Sequence, residues 1–206
     1  LVNVDMDVYR RAQDFLSRGR KVILYAPTFR DGNPGWLLQA GLPELAAAIA
    51  ANGDLLVVNL HPVEQPLVPK LTEVTPQVSF VRARSDVYPL LRQASLLVTD
   101  YSSLMFDAPV ARVPLAFFVP DLAAYRDRER GFTFDFEATA PGPLLTSREQ
   151  RVALARALAD DGPDAEWIRV SAPAYAAWRE RFAPHDDGRA AERVVDLLEE
   201  RGALGP

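Results

Sequence analysis

Short apolar runs separated by segments of helical periodicity constrain this chain more than any other feature. Lys21–Tyr25, Leu55–Leu60, Val78–Val81, Ser95–Val98 and Val113–Val119 each read as a strand. Between most of them lie stretches with apolar residues at helical spacing, such as Leu45 and Ile49 between Pro43 and Gly53. Strands that alternate with helices are joined by crossovers, and crossovers make parallel βαβ units. Strands covered on both faces read as continuous apolar runs. The expected fold class is therefore α/β, with a doubly wound parallel sheet.

Asp5–Arg18 reads as a helix closed by Gly19, leading into the first strand. The Pro, Gly and Asn content of residues 26–35 demands a loop, and His61–Pro76 reads as a second, longer one. Further helices are expected over Ser85–Ala94, from near Ser102, and over Leu122–Arg128. Phe132–Phe136 alternates like an extended edge, and Ala140–Pro143 is a turn. Glu149–Asp160, Asp164–Phe182 and Arg189–Arg201 complete a helical C-terminal flank. This organisation gives a lead-in over 1–20, a sheet-bearing domain over 21–183 and a terminal helix over 184–206. The start at Leu1, directly before a helix, reads as a segment of a longer polypeptide.

Composition narrows the chemistry. The 206 residues contain no Cys, which excludes a disulfide framework and a thiolate nucleophile or metal site. No apolar run approaches the roughly 20 residues that span a bilayer. A net charge of −5, with Arg spread along the chain, argues against a nucleic-acid partner. With only His61 and His185, a multi-His metal site is not expected, and no cofactor is implied. No G-x-G-x-x-G follows the first strand, and neither a P-loop nor a G-x-S-x-G elbow occurs.

Ligands of open α/β sheets bind beyond the carboxyl ends of the strands, so polar residues after the apolar runs are the first candidates. Thr99-Asp100-Tyr101-Ser102-Ser103 follows one run and opens a helix. Backbone N–H groups and the helix dipole favour an anion there, and Ser102 and Ser103 add hydroxyl donors; Asp100 and both serines serve equally as caps. His61 follows another run, with Pro62 denying an immediate helix and holding the ring in a loop. The imidazole either donates to phosphate and exchanges a proton or is structural. Thr28 and Arg30 lie in the first loop, where the guanidinium either clamps a phosphate or pairs with a carboxylate such as Asp31. Asp187, before Gly188, either caps the last helix or orients a ribose hydroxyl. Arg130-Gly131 and Pro141-Gly142 are turn signals.

Taken in order, Tyr25-Ala26-Pro27-Thr28-Phe29-Arg30-Asp31, His61, Thr99–Ser103 with Phe106-Asp107, Arg130-Gly131-Phe132 and Pro141-Gly142-Pro143 resemble the CDP-glycerol glycerophosphotransferase family of teichoic-acid polymerases. The likeness runs from about Lys21 to Leu198. It implies a GT-B architecture of two Rossmann-like domains facing a cleft, of which this chain matches the C-terminal, donor-binding one. It also implies binding of CDP-glycerol or a related CDP- or UDP-linked donor, with Arg30, His61, Ser102 and Ser103 around the diphosphate. His61 would be catalytic, stabilising or protonating the departing CMP, with Thr28, Asp100, Arg130, Asp187 and Gly188 in weaker donor contacts.

The implied reaction is attack by a hydroxyl of a polymer or lipid-linked acceptor on the donor's β-phosphate. Positioning and charge neutralisation carry most such catalysis. The acceptor site, the general base and peripheral attachment at the cytoplasmic face of a membrane are expected of an N-terminal half, so this segment alone should bind without turning over. Asn59 departs from the basic residue that relatives often place two before the His. Two readings compete: a GT-B glycosyltransferase using a nucleotide sugar in the same cleft, and a phosphoacceptor regulatory module, for which residues 27–35 supply one acidic residue, Asp31, where a pair is needed.

Overall fold

The computed structural model describes residues 3–30, 33, 35–128 and 131–203. Its strands are β1 (Val22–Ala26), β2 (Leu55–Val58), β3 (Ser79–Phe80), β4 (Leu96–Thr99), β5 (Leu115–Phe118) and β6 (Leu144–Leu145). All are parallel, in the order β3-β2-β1-β4-β5-β6. The order reverses between β1 and β4, so their connections diverge and open a crevice at the carboxyl ends. Tyr25 is level with both Val58 and Val98, and Ala26 with Thr99. The loops leaving β1, β2 and β4 therefore start side by side. The Thr99 hydroxyl donates to the Ala26 carbonyl at 2.7 Å, fastening two of these ends together.

The helices are α1 (Met6–Ser17), α2 (Trp36–Gln39), α3 (Leu42–Ala51), α4 (Val68–Val74), α5 (Tyr88–Leu91), α6 (Leu104–Ala111), α7 (Leu122–Arg128), α8 (Phe136–Thr139), α9 (Arg148–Asp161), α10 (Glu166–Phe182) and α11 (Ala190–Glu200). Successive strand side chains face opposite ways, so the sheet builds two cores. Ile23, Leu56, Val58 and Val98 meet Leu45 and Ile49 of α3 and Leu154 and Leu158 of α9 on one face. Leu24, Val57, Leu97 and Phe117 meet Ala12 of α1, Met105 of α6 and Trp178 of α10 on the other. Each fully buried Leu, Ile or Val contributes about 1.5–3 kcal/mol, and burial on both sides is what the unbroken apolar runs encode. A Ser147–Gln150 capping box starts α9, and α11 buries none of its residues. Among the described residues no helix is long and apolar enough to cross a membrane.

Three local expectations change. Residues 61–76 are helical and not a loop: a 3₁₀ helix over Pro62–Leu67 runs into α4. Pro62 restrains the residue before it, and His61 is accordingly extended (φ −59°, ψ 144°). Proline itself is compatible with a first helical turn, where no N–H is needed. Phe132–Phe136 forms no edge strand, because its rings are used for packing. Phe132 stacks on Phe136, Phe134 meets Trp178 edge-on, and Asp135 caps α8. The sheet's edge is instead β6, a two-residue strand too short to leave a pattern. Helix 85–94 shortens to α5.

Gly142 explains how β6 reaches its place. A Cβ there would lie 2.0 Å from the Leu115 carbonyl oxygen and 2.8 Å from its carbon, so only a glycine lets the turn cross β5 backbone this closely. Gly142→Ala is expected to cost about 1–3 kcal/mol, as overpacking against an unyielding strand does. Urea denaturation checks this; a variant within about 0.5 kcal/mol of wild type would show that the turn relaxes freely.

Candidate functional site

A cavity of about 380 Å³ opens at the switch point, lined by the ends of β1, β2 and β4 and the segments that follow them. Thr28 and Phe29 come from the β1 loop, Asn59 and His61 from β2, Arg84 and Ser85 from the end of β3, and Tyr101 and Ser102 from β4, with Tyr125 of α7 closing one side. Among the described residues no carboxylate lines it. Its polar groups are hydroxyls, an imidazole, an amide and one guanidinium-bearing residue, a set suited to an anion.

His61 is oriented from two sides. Its ring stacks on Phe29 at 4.4 Å between centroids, and its Nδ1 accepts from the Val63 N–H at 3.3 Å. The neutral ring therefore carries its proton on Nε2, which the backbone contact leaves for a ligand. Opposite, Tyr101 stacks on Tyr125 at 3.7 Å, while the Tyr101 hydroxyl donates to Asp121 at 2.9 Å. Ser102 Oγ accepts from the Leu104 N–H at 3.4 Å, a long bond that still leaves its own proton to donate.

Beneath the cavity lies a buried charge cluster. Asp100 is fully buried and accepts from the Thr28 N–H at 2.9 and 3.0 Å, the Thr28 hydroxyl at 3.1 Å and the Tyr101 N–H at 2.6 Å. Arg30 meets it at 3.0 Å and meets Asp121 at 2.5 Å. Burial pushes the Asp100 carboxyl up to about 6, against the pull of Arg30 and Thr28, so it is ionised at neutral pH. Burial also opposes charge on Asp121, but the hydrogen bonds and charge of Arg30, with the Tyr101 hydroxyl, outweigh it and hold that carboxyl below its ordinary value. Glu64, on the 3₁₀ helix after His61, is only 3% exposed and has both carboxylate oxygens unpartnered. Burial pushes it up to about 6 as well.

The family described as CDP-Glycerol:Poly(glycerophosphate) glycerophosphotransferase matches residues 5–200. The chain belongs to this family. It is 34% identical over 192 residues to a teichoic acid poly(glycerol phosphate) polymerase of Bacillus subtilis (strain 168), covering 89% of this chain and 24% of that protein. It is 31% identical over 185 residues to a teichoic acid glycerol-phosphate transferase of Staphylococcus aureus (strain NCTC 8325 / PS 47), covering 87% and 45%. The solved wall teichoic acid polymerase TagF superposes with a TM-score of 0.69 at 26% identity, over 93% of this chain and 48% of that one. A variant of that polymerase soaked with CDPG gives 0.66, also at 26% identity. The chain thus spans between a quarter and half the length of these relatives, and its sheet is the Rossmann-like α/β fold of a GT-B domain.

Within this glycerophosphotransferase-family chain, the expected site residues separate. His61, Ser102 and Thr28 come together at the cavity. Ser103 is the exposed N-cap residue of α6 and does not line it, nor does its side chain cap the helix. Arg30, expected as a diphosphate clamp, is instead committed below: its side chain is 7% exposed and both its carboxylate partners are in place. Asp100 is a fully buried acceptor and does not line the cavity. Asp187 and Gly188 do not line the cavity; Asp187 accepts from the Arg189 N–H at 2.9 Å and pairs with Arg193 at 2.7 Å, just ahead of α11, whose N-cap residue is Arg189. Arg130 lies outside the described residues. Among the described residues, no cluster of three or more His, Asp or Glu side chains is arranged to hold a metal ion. Glu64, Arg84, Asp121 and Tyr125 were not singled out from sequence, although Arg84 and Asp121 also follow apolar runs, the signal that located His61 and the Thr99–Ser103 motif.

Two measurements test this charge arrangement. Removing one partner of a buried pair leaves the other uncompensated, so Arg30→Ala is expected to cost about 3–5 kcal/mol, and Arg30→Ala with Asp100→Ala less than the sum of the singles; additivity in urea denaturation would remove the coupling. For Glu64 the folded pKa is raised, so ionisation opposes folding as pH rises through about 6. Glu64→Met should therefore be more stable than wild type at pH 7.5 by about 1 kcal/mol, with the gain shrinking toward pH 4.5. A gain that is absent or independent of pH would contradict that sign.

Proposed function

We propose that this chain is the donor-binding domain of an enzyme that transfers glycerol phosphate from CDP-glycerol to a hydroxyl of a polymer acceptor. The observation that carries this reading is the cavity at the switch point. It combines the Nε2 proton of an oriented His61, the Ser102 hydroxyl and the start of α6, and among the described residues no carboxylate lines it to repel a diphosphate. Family membership and the teichoic-acid relatives support the substrate class.

In this reading His61 and Ser102 donate to the diphosphate oxygens and stabilise the charge that develops as CMP departs. The acceptor oxygen bonds to the β-phosphorus, the bond from that phosphorus to the bridging oxygen breaks, and its electron pair leaves with CMP. Because Nδ1 is occupied by a backbone donor, His61 serves as a fixed donor and not as the base that takes the acceptor's proton. That base, the acceptor site and any attachment at the cytoplasmic face of a membrane belong to the portion of the relatives that this chain does not span.

Calorimetric titration with CDP-glycerol, CDP and UDP-N-acetylglucosamine tests the assignment. Wild type is expected to prefer CDP-glycerol. His61→Ala should weaken it about tenfold, the worth of a hydrogen bond to a charged group, and Ser102→Ala by a smaller factor. Unchanged affinity in both variants would overturn the site, and tighter binding of the nucleotide sugar would favour a glycosyltransferase.

A further inference from the structure

We propose that Arg84 supplies the cationic contact to the anion held in this cavity, the role that sequence reasoning assigned to Arg30. The identity of the anion as a donor diphosphate rests on the reading above; its charge does not. Among the described residues Arg84 is the one Lys or Arg lining the cavity. Among the described residues no carboxylate pairs with it, whereas its neighbour Arg82 meets Asp5 at 3.3 Å. A guanidinium with no carboxylate partner among the described residues is free for an incoming phosphate, which it matches in a bidentate fork.

The backbone at Arg84 is the second observation. Its φ is 62°, and Arg112 is the only other described non-glycine residue with a positive φ. Arg112 is the C-cap of α6, where such a conformation is ordinary. Arg84 ends no helix. It occupies the third position of a turn closed by the Ser85 N–H onto the Arg82 carbonyl at 3.2 Å, a place that glycine or asparagine normally fills when φ is positive. A bulky cation kept in a conformation it disfavours is characteristic of a site where the side chain is needed.

That conformation is imposed from the other end of the chain. The Asn3 side-chain amide donates to the Arg84 carbonyl, the Asp86 N–H donates to the Asn3 carbonyl at 2.7 Å, and Asp5, which is 2% exposed, accepts from the Arg82 N–H at 2.8 Å. Three bonds from two residues clamp the turn on both sides of Arg84. The cation is therefore presented before a ligand arrives, which lowers the ordering cost of binding.

The test titrates wild type, Arg84→Gly and Arg84→Lys with inorganic pyrophosphate and with CDP-glycerol, and records thermal midpoints. Glycine relieves the turn, so its midpoint should equal or exceed that of wild type, while affinity for both ligands falls at least about tenfold and its salt dependence flattens. Arg84→Lys, which keeps the charge, should recover part of the loss. A glycine variant that binds both ligands as tightly as wild type would overturn the assignment. Wild-type binding of pyrophosphate but not CDP-glycerol, with the loss in Arg84→Gly, would uphold Arg84 and sink the donor reading. Binding of neither ligand by wild type would sink both.

Discussion

Arg30 is the cation around which three strand-end loops are organised. Its own backbone leaves β1, while Asp100 arrives after β4 and Asp121 after β5. A guanidinium buried to this degree is tolerated only when its donors are used. Here they go to both carboxylates, the Thr28 carbonyl at 2.9 Å and the Thr28 hydroxyl at 2.7 Å. Trp36 and Tyr101 cover it, with ring centroids 4.4 and 5.2 Å from the guanidinium carbon. The bonds are directional, so they fix where Thr28 and Tyr101 stand, and these two residues are part of the cavity wall.

This cluster also settles where negative charge is spent. The chain is acidic overall, yet the carboxylates nearest the switch point face downward into Arg30, leaving donors uppermost. Local arrangement decides anion binding more than net charge does, because fixed donors close to a ligand outweigh distant, screened charges. Glu64 stands apart from this arrangement: its carboxylate lies close enough to feel Arg30 and Asp100 but has no hydrogen-bond partner. Its buried carboxylate adds a cost that the three-residue cluster does not offset.

The fold was legible because its cause is local. Val22–Ala26, Leu55–Val58, Leu96–Thr99 and Leu115–Phe118 are buried along their whole length, and two-sided burial writes itself as an apolar run. What escaped had no such imprint. β6 has two residues and is placed by a close approach of Gly142 to β5. The 3₁₀ helix after His61 is rich in proline, which reads as a loop unless its first-turn positions are weighed. In the site, His61 and Ser102 stood out because a polar residue after an apolar run is conspicuous. Arg30 was seen, but its pairing with Asp100 and Asp121 spans 70 and 91 positions and no short-range pattern encodes it.

The β3 loop shows how far such long-range pairing reaches. Asp5 uses one carboxylate oxygen to cap α1 through the Val8 N–H at 3.3 Å and the other to hold the Arg82 N–H at 2.8 Å. A single buried side chain thus sets both the start of the first helix and the position of a turn at the cavity. α1 in turn packs Val8 and Ala12 against the sheet, so the turn is fastened to the core through α1 as well as through the buried Val81 just before it, whose N–H donates to the Val58 carbonyl at 2.9 Å. Residues before the first strand are in this physical sense part of the cavity's construction: the helix that precedes β1 helps hold the loop that lines it.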